Sequence, residues 1–230
     1  MKPILFNTEM VKALLDGRKT VTRRLVKPQP QGYFEVNENP LFIYDTEWNQ
    51  GEIHPSCQVG DILYVMETWK EYAPNKYMYR ADGEQKDCGD LWEGINANLG
   101  VWRPSIHMPK EASRIFLRVT DVRVEKLQDM QHDAPMEEGI RGYSKDGELY
   151  KYAVSDNWWS EYHRKNRKRY YGNWWQDMPK NPTKAFELYW DSTIDMKEHW
   201  MDQSWGANPW CFVYNFERIS KEEAYRIVEN

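Results

Sequence analysis

One segment, residues 114–124, constrains the fold of this chain more than any other feature. Apolar and polar residues alternate from Ile115 to Val119, and the alternation then changes parity from Val122 to Val124. Because successive side chains of a strand point to opposite faces, a strand with this pattern needs a bulge or bend near Thr120. Small β-barrels use such features to turn their corners. With several further short strands and few helices, the pattern predicts one α+β domain, 1–230, built as a small β-barrel with flanking helices.

Shorter elements and two long insertions make up the rest of the pattern. Strands are predicted at 41–44, 62–67 and 211–216, and helices at 7–16, 133–138, 182–192 and 221–230. Asn7, Asp133 and Asn181 are the predicted N-caps, and Gly17 and Gly139 stand where helices end. Residues at about 70–104 and 141–180 are predicted to form insertions outside the barrel; repeated glycines break the first of them into loops.

The composition is typical of a cytosolic protein without a metal site. The 230 residues carry a formal net charge of −5, so any nucleic-acid binding would need a local basic patch. The three cysteines form no CxxC pair, and the five histidines show no metal-ligand spacing. The sequence has neither an apolar run of membrane-spanning length nor the apolar stretch of a signal peptide near its start. We therefore expect a cytoplasmic protein with no membrane contact, no cofactor and no metal.

The most concentrated functional candidate is the segment 17–24, Gly-Arg-Lys-Thr-Val-Thr-Arg-Arg, at a predicted helix-to-strand junction. In a regular strand Lys19 and Thr22 would point to opposite faces, so they converge only if a turn or bulge separates them. Convergence would place an ammonium beside a hydroxyl, which is a common way to activate a weak nucleophile. A solvated basic turn is the alternative interpretation.

Two carboxylates are further candidates. Glu67 shares a strand face with Leu63 and Val65; if that face is the core, Glu67 is buried and needs a cation, which the segment 17–24 could supply. The alternative is that the strand ends earlier and Glu67 is solvated. Glu138 and its neighbour Glu137 lie at the end of a predicted helix, where the helix dipole disfavours carboxylates, which indicates that at least one of them has a role beyond helix stability.

A basic run lies in the second insertion between pairs of tryptophans. Its cations are Arg164, Lys165, Arg167, Lys168 and Arg169. Cations that bind phosphates, beside rings that stack on bases, are typical of a surface for single-stranded nucleic acid. A solvated helix face over a small aromatic cluster is the alternative.

Taken together, these features resemble the ASCH domain family, small β-barrels allied to the PUA fold. The segments that carry the resemblance are 17–24, Val59-Gly60-Asp61-Ile62-Leu63-Tyr64-Val65, Glu137-Glu138-Gly139 and Phe212-Val213-Tyr214-Asn215-Phe216. Glu67-Thr68-Trp69, Trp102-Arg103-Pro104-Ser105 and residues 185–192 resemble the longer ASCH proteins of phages and prophages. The resemblance covers nearly the whole chain and implies a PUA-like (ASCH) barrel interrupted by the two insertions.

The same resemblance implies binding of RNA or of a modified nucleoside in a cleft beside the barrel. One bacterial branch of the family is an amidohydrolase that removes the acetyl group of N4-acetylcytidine with a Lys, a Thr and a Glu. Those roles fall on Lys19, Thr22 and Glu138 here. We further expect the substrate to be bound by Arg18, Arg23, Arg24, Glu67, Trp69 and Trp102, with Glu67 beside the three catalytic residues in one cleft.

Two other functions stay open at this point. Another branch of the family is described as a metal-dependent ribonuclease. The second possibility is a non-catalytic reader of RNA or DNA, in which the same cations bind phosphates and Trp69 or Trp102 stacks on a base.

Overall fold

The computed structural model describes residues 1–30, 34–38, 41–45, 51–83, 101–166, 174–194 and 200–229, and it shows a mixed α+β protein with several sheets. The strands within those residues are β1 (Lys2–Leu5), β2 (Val21–Leu25), β3 (Phe34–Glu38), β4 (Leu41–Asp45), β5 (Gly51–Ile53), β6 (Ile62–Met66), β7 (Trp69–Ala73), β8 (Lys76–Tyr79), β9 (Phe116–Lys126), β10 (Arg141–Ser144), β11 (Tyr150–Ala153) and β12 (Trp210–Ile219). The α-helices there are α1 (Thr8–Leu15), α2 (Ala134–Glu137), α3 (Asp156–Asn166), α4 (Trp174–Asp177), α5 (Pro182–Ser192), α6 (Trp200–Gln203) and α7 (Lys221–Glu229).

A five-stranded sheet in the order β1-β6-β9-β12-β2 organises the molecule. Only the pairing of β1 with β6 is parallel; the other neighbours in this sheet are antiparallel. The predicted bulge is confirmed: Asn215 of β12 pairs with Asp121, but Phe216 pairs with Val119, which leaves Thr120 as the extra residue of β9. This extra residue is what changes the parity of β9, because it shifts every following side chain to the other face.

Helices cover both faces of the long strands β9 and β12. Leu117 and Val119 belong to the main core, which also contains Val11 and Leu14 of α1 and Phe186 of α5. Phe116 points the other way and packs in a smaller cluster with residues of α7. The alternation along β9 therefore buries apolar side chains on both faces, one beneath each helical layer.

Within the described residues the five-stranded sheet is open, because backbone hydrogen bonds do not join its two edge strands. Its edge strands β1 and β2 share no backbone pairing there, so no closed barrel is seen and the predicted β-barrel is not confirmed. A side chain links the two edges instead: Nη2 of Arg24 on β2 donates to the carbonyl oxygen of Leu5 on β1 at 2.7 Å. The edges therefore approach each other without forming a ladder.

Both predicted insertions contain hairpins that are separate from the five-stranded sheet. β7 and β8 form one two-stranded sheet, and an isolated bridge joins Trp69 to Arg103; residues 84–100 of this insertion lie outside the described part. β10 and β11 form another, followed by α3 and α4, and residues 167–173 lie outside the described part. A three-stranded sheet, β3-β4-β5, was predicted only at its middle strand.

Two of the three predicted N-caps are confirmed. The Asn7 side chain accepts from the Met10 amide at 3.0 Å, and Asn181 accepts from the Thr183 amide at 2.7 Å. The predicted cap of α2 is wrong, since Asp133 has a helical backbone and its side chain makes no capping bond. The same short helix does end at the predicted glycine, Gly139, which has a φ of +105°.

Candidate functional site

A cavity of about 510 Å³ lies between the start of the chain, β2 and α5. Its walls include the N-terminal segment, the segment 19–27, Glu138 and one side of α5. The residues that line it are Leu5, Phe6, Asn7, Met10, Lys19, Thr22, Arg23, Arg24, Leu25, Lys27, Glu138, Phe186, Tyr189, Trp190, Thr193, Ile194 and Gln203. This size falls in the usual range of ligand pockets, roughly 300–1,000 Å³. The structure thus brings Lys19, Thr22 and Glu138 to one cavity.

Lys19 reaches the cavity because it precedes β2 and is therefore not bound by strand alternation. Helix α1 ends at Gly17, whose φ of +73° reverses the chain. The amides of Arg18 and Lys19 then both donate to the carbonyl of Ala13, at 2.9 and 3.1 Å. The turn leaves Lys19 outside β2, so strand alternation does not separate it from Thr22, although no turn lies between the two as predicted.

A close approach between two helix ends sets Glu138 beside Lys19. A Cβ at Gly139 would lie 2.8 Å from the Cβ of Ala13 in α1, so no larger residue fits without a shift. The amide of Thr20 also donates to the carbonyl of Glu137 at 2.9 Å. Glycine at position 139 therefore allows α2 to end directly against α1, with the Glu138 side chain turned towards Lys19.

Lys19 and Glu138 form a buried ion pair. The Lys19 Nζ donates to Glu138 Oε2 at 2.6 Å, to the Glu138 carbonyl at 3.1 Å and to the Val21 carbonyl at 2.8 Å. Their side chains are only 1% and 5% exposed. Burial lowers the pKa of Lys19, and the nearby Arg24 and Arg23 lower it further, against the opposing effect of Glu138. Three acceptors around one ammonium hold it charged at rest, while its surroundings make the proton easier to release than in water.

Glu138 binds a second cation, Arg23. The Arg23 Nη1 donates to Glu138 Oε1 at 3.1 Å, and its Nε and Nη2 donate to Glu125 Oε1 at 3.0 and 2.5 Å. Each oxygen of Glu138 thus has its own cationic donor. Since a carboxylate with both oxygens paired can be buried at acceptable cost, this arrangement explains how Glu138 is buried beside the cavity.

Thr22 and Arg24 present less fully bonded groups to the same cavity. Within the described residues the Thr22 hydroxyl makes no hydrogen bond, although its side chain is buried. Arg24 stacks over the ring of Phe6, with Cζ 5.2 Å from the ring centre. Arg24 is exposed to solvent at the cavity. The protein atoms around it nevertheless reduce its hydration, which lowers the pKa of its guanidinium.

Sequence reasoning missed the hydrogen-bonded pair Asn7 and Tyr189. The Asn7 Nδ2 donates to the Tyr189 hydroxyl at 2.6 Å, and both residues line the cavity. Asn7 was recognised only as a helix cap, and Tyr189 only as part of the buried side of α5. Because 182 positions separate them, no local pattern could have indicated the contact.

No protein-family model matches this chain, and neither a curated protein nor a solved structure matches it. The chemistry of the cavity has to be inferred from its own residues.

Glu67 is buried as the strand parity indicated, but its predicted cationic partner is wrong. Instead of residues 17–24, Arg114 holds it with two hydrogen bonds, Nε to Oε1 at 2.9 Å and Nη2 to Oε2 at 3.1 Å. Arg114 is the nearer cation because β6 and β9 are neighbours in the sheet. Glu67 is not among the residues that line the cavity, so the predicted four-residue cleft contains only three of its members.

Three further predicted substrate-binding residues also lie away from the cavity walls: Trp69, Trp102 and Arg18. Trp69 is 2% exposed and packs in a separate cluster with Met66 and Met108. Trp102 lies between Lys70 and Arg80, with Nζ and Cζ 4.8 and 5.4 Å from its ring centre.

Arg18 binds the carbonyl of Gly139 and the carboxylate of Asp16, and therefore fastens the α1–α2 junction from outside. Of the predicted binding residues, only Arg23 and Arg24 line the cavity.

Only part of the basic run can be placed. Arg164 and Lys165 are exposed at the end of α3, while Arg167, Lys168 and Arg169 lie outside the described residues. Within α3, Trp158 stacks on Tyr162 with ring centres 4.9 Å apart, and Trp158 also packs edge-on against Tyr189 of α5. The small aromatic cluster that the alternative interpretation predicted is therefore present. Through Tyr189, it packs against the wall of the cavity.

Within the described part of the chain, no group of three or more His, Cys, Asp or Glu side chains is placed to hold a metal ion. Among the helices of that same part, none has both the length and the apolar character needed to cross a membrane.

Proposed function

We propose that the cavity binds a modified nucleoside and hydrolyses an amide on it, of the N4-acetylcytidine type. The observation that carries this proposal is the meeting of Lys19, Thr22 and Glu138 in one cavity, with the first and last in a buried ion pair. Phe6, Phe186 and Trp190 supply apolar and aromatic wall for a base. The protein would act in the cytoplasm on RNA-derived nucleosides or on RNA itself.

The bonding around Lys19 suggests how the nucleophile is activated. Transfer of one proton from Lys19 Nζ to Glu138 Oε2, across 2.6 Å, would leave a neutral amine. That amine can accept the Thr22 proton while the Thr22 oxygen attacks the amide carbonyl carbon. The carbon–nitrogen bond then breaks, the proton on Glu138 passes to the leaving amine, and a threonine ester remains. Water hydrolyses the ester and restores the hydroxyl, so the net reaction consumes one water and needs no oxidant.

We infer that the five-stranded sheet is a PUA-like barrel of the ASCH type, with the cavity beside its opening. The bulge at Thr120 and the Arg24–Leu5 link between the edge strands support this inference, because both are features of a strongly curved sheet.

Incubation with free N4-acetylcytidine, followed by chromatography for cytidine and acetate, tests the activity. Release of both products in equal amounts is expected, with or without EDTA. Matched reactions with single-stranded RNA and added divalent cations detect a ribonuclease. Cleavage of RNA that disappears with EDTA, together with intact acetylcytidine, would replace this proposal by the nuclease function.

A non-catalytic reader is the second candidate, and one observation favours it. All three N–H groups of the Lys19 ammonium are directed at acceptors, so at rest none is free for Thr22. Measured binding of acetylcytidine or RNA without turnover, and unchanged binding in Thr22→Ala, would establish the reader.

A further inference from the structure

The walls of the cavity carry more positive charge than their carboxylates balance. Four cationic side chains, Lys19, Arg23, Arg24 and Lys27, line it beside a single carboxylate, Glu138. The chain as a whole has a formal net charge of −5, so this excess is local. Since low-dielectric walls concentrate the field of such charges, the cavity attracts an anion.

Arg24 differs from its neighbour Arg23 in its counter-ions. Two carboxylates hold Arg23, whereas no carboxylate in the described residues pairs with Arg24. Arg24 is nevertheless fixed, by its bond to the Leu5 carbonyl at 2.7 Å and by the ring of Phe6. A positioned guanidinium with further donors and no counter-ion is what binds an anionic oxygen well.

The hydroxyl of Tyr189 is a second positioned donor. The Asn7 Oδ1 accepts from the Met10 amide, which fixes the orientation of the Asn7 amide group and directs Nδ2 at the Tyr189 oxygen. Tyr189 must therefore accept this bond, and its own proton has no acceptor among the described residues. The residue is only 6% exposed and lines the cavity. Burial also raises the pKa of Tyr189, so the hydroxyl keeps its proton at physiological pH.

Three consecutive residues tie these donors together. Leu5 and Phe6 hold Arg24, and Asn7 holds Tyr189, so both donors are fastened to the same short segment at the edge of the cavity. Lys27, which also lines the cavity, has no carboxylate partner in the described residues either. Two cations without a carboxylate partner and one neutral donor thus line the same cavity.

We propose that Arg24, Lys27 and Tyr189 form a phosphate subsite, so that the preferred ligand is a nucleotide, which carries a phosphate on the nucleoside proposed above. The nucleoside part of this ligand rests on the proposed function. The anion subsite itself rests on the unpaired donors, and inorganic phosphate alone should occupy it weakly.

Calorimetric titration at low ionic strength compares cytidine, cytidine monophosphate and inorganic phosphate on the full chain. The monophosphate should bind roughly tenfold to a hundredfold more tightly than cytidine, as expected for hydrogen bonds to a charged group. Arg24→Gln and Tyr189→Phe should each reduce this ratio, the first more. Arg218→Gln, which removes an exposed arginine of β12 that does not line the cavity, is the matched control and should keep the ratio.

Each outcome decides between the two proposals. Equal affinity for cytidine and its monophosphate, unchanged by Arg24→Gln, would overturn the phosphate subsite and leave the nucleoside site standing. Binding of inorganic phosphate as tightly as the monophosphate, and lost in Arg24→Gln, would support the subsite but remove the nucleoside. Binding of none of the three ligands would overturn the subsite. Circular dichroism of each variant shows that a lost affinity is not lost folding.

Discussion

Two buried glutamates of this chain look alike in isolation and differ in what surrounds them. Glu67 is 1% exposed and Glu138 is 5% exposed, and each is bound by an arginine. The partner of Glu67, Arg114, extends outward to Asp82 at 2.8 Å and covers the ring of Tyr79. Glu138 is held by two cations whose own side chains are 1% exposed, and it borders a cavity.

The difference shows that a buried carboxylate is not by itself evidence of a functional site. Around Glu67 there is no excess of positive charge, since Arg114 binds both Glu67 and Asp82, and this network fastens the first insertion to the sheet. Around Glu138 the cations outnumber the carboxylates and there is room for a ligand. An excess of positive charge beside open volume indicates an anionic ligand, whereas a cation held by carboxylates away from the cavity indicates a structural role.

The largest expected effect is on turnover of an acetylated nucleoside. Lys19→Ala removes the proposed base and Thr22→Ala the nucleophile, so each should reduce kcat at least about a hundredfold. Glu67→Gln, in the structural pair, should leave kcat nearly unchanged. Steady-state kinetics of the three variants measure this. A loss in Glu67→Gln as large as in Thr22→Ala would show that the two glutamates do not differ as described.

A smaller effect is expected on stability, and it should again separate the two glutamates. Glu138→Gln leaves Lys19 buried without a counter-charge and Arg23 with Glu125 alone, and breaking a buried pair typically costs about 3–5 kcal/mol. In Glu67→Gln the Arg114 side chain keeps Asp82 and is partly solvated, so a cost of about 1–3 kcal/mol is expected. Urea unfolding measures both free energies. Equal losses would mean that Arg114 depends on Glu67 as strongly as Lys19 depends on Glu138.

The pH dependence of the free energy of unfolding should reveal the lowered pKa of Lys19. The unfolded chain keeps the Lys19 proton up to about the ordinary value of 10.5, but burial lowers the pKa of Lys19 in the folded protein. Between those two values the unfolded state binds more protons, so the free energy of unfolding should rise with pH in that window. Lys19→Met should remove this rise, and Lys70→Met, outside the cavity, should not. Urea titrations from pH 7 to 10 provide the comparison; identical slopes for all three proteins would contradict the lowered pKa.

The smallest expected effect concerns Arg164 and Lys165, the described part of the basic run, which are exposed and do not line the cavity. If Arg164 and Lys165 contact phosphates of a single strand, replacing both by Gln should reduce the log–log salt slope of RNA binding by roughly 0.7 for each residue. Fluorescence anisotropy over a range of salt concentrations gives the slope. Replacement of the exposed Lys221 and Arg218 serves as the control. A slope that does not change assigns the described part of the run to a solvated helix face.

Local features of the fold were predictable because they depend on near neighbours. The cap at Asn7, the reversal at Gly17 and the bulge at Thr120 follow from hydrogen bonding, glycine geometry and parity within a few residues. Strand β1 was not predicted, since four residues that open with Lys-Pro show little β pattern and become a strand only by pairing with β6. The common location of Lys19 and Glu138 was expected from family resemblance and not from their spacing.

The sequence by itself determined which segments turn, which alternate, and which residues carry charge. Tertiary structure decided which charge meets which. Residues 67 and 114 are paired, as are 19 and 138 and also 7 and 189, because strand register and the packing of α1 against α2 and α5 bring distant segments together. No local pattern encodes those pairings, since the energy of a buried charge depends on every group around it. That is why Glu67 and Glu138, similar in sequence, became a structural pair in one case and the wall of a cavity in the other.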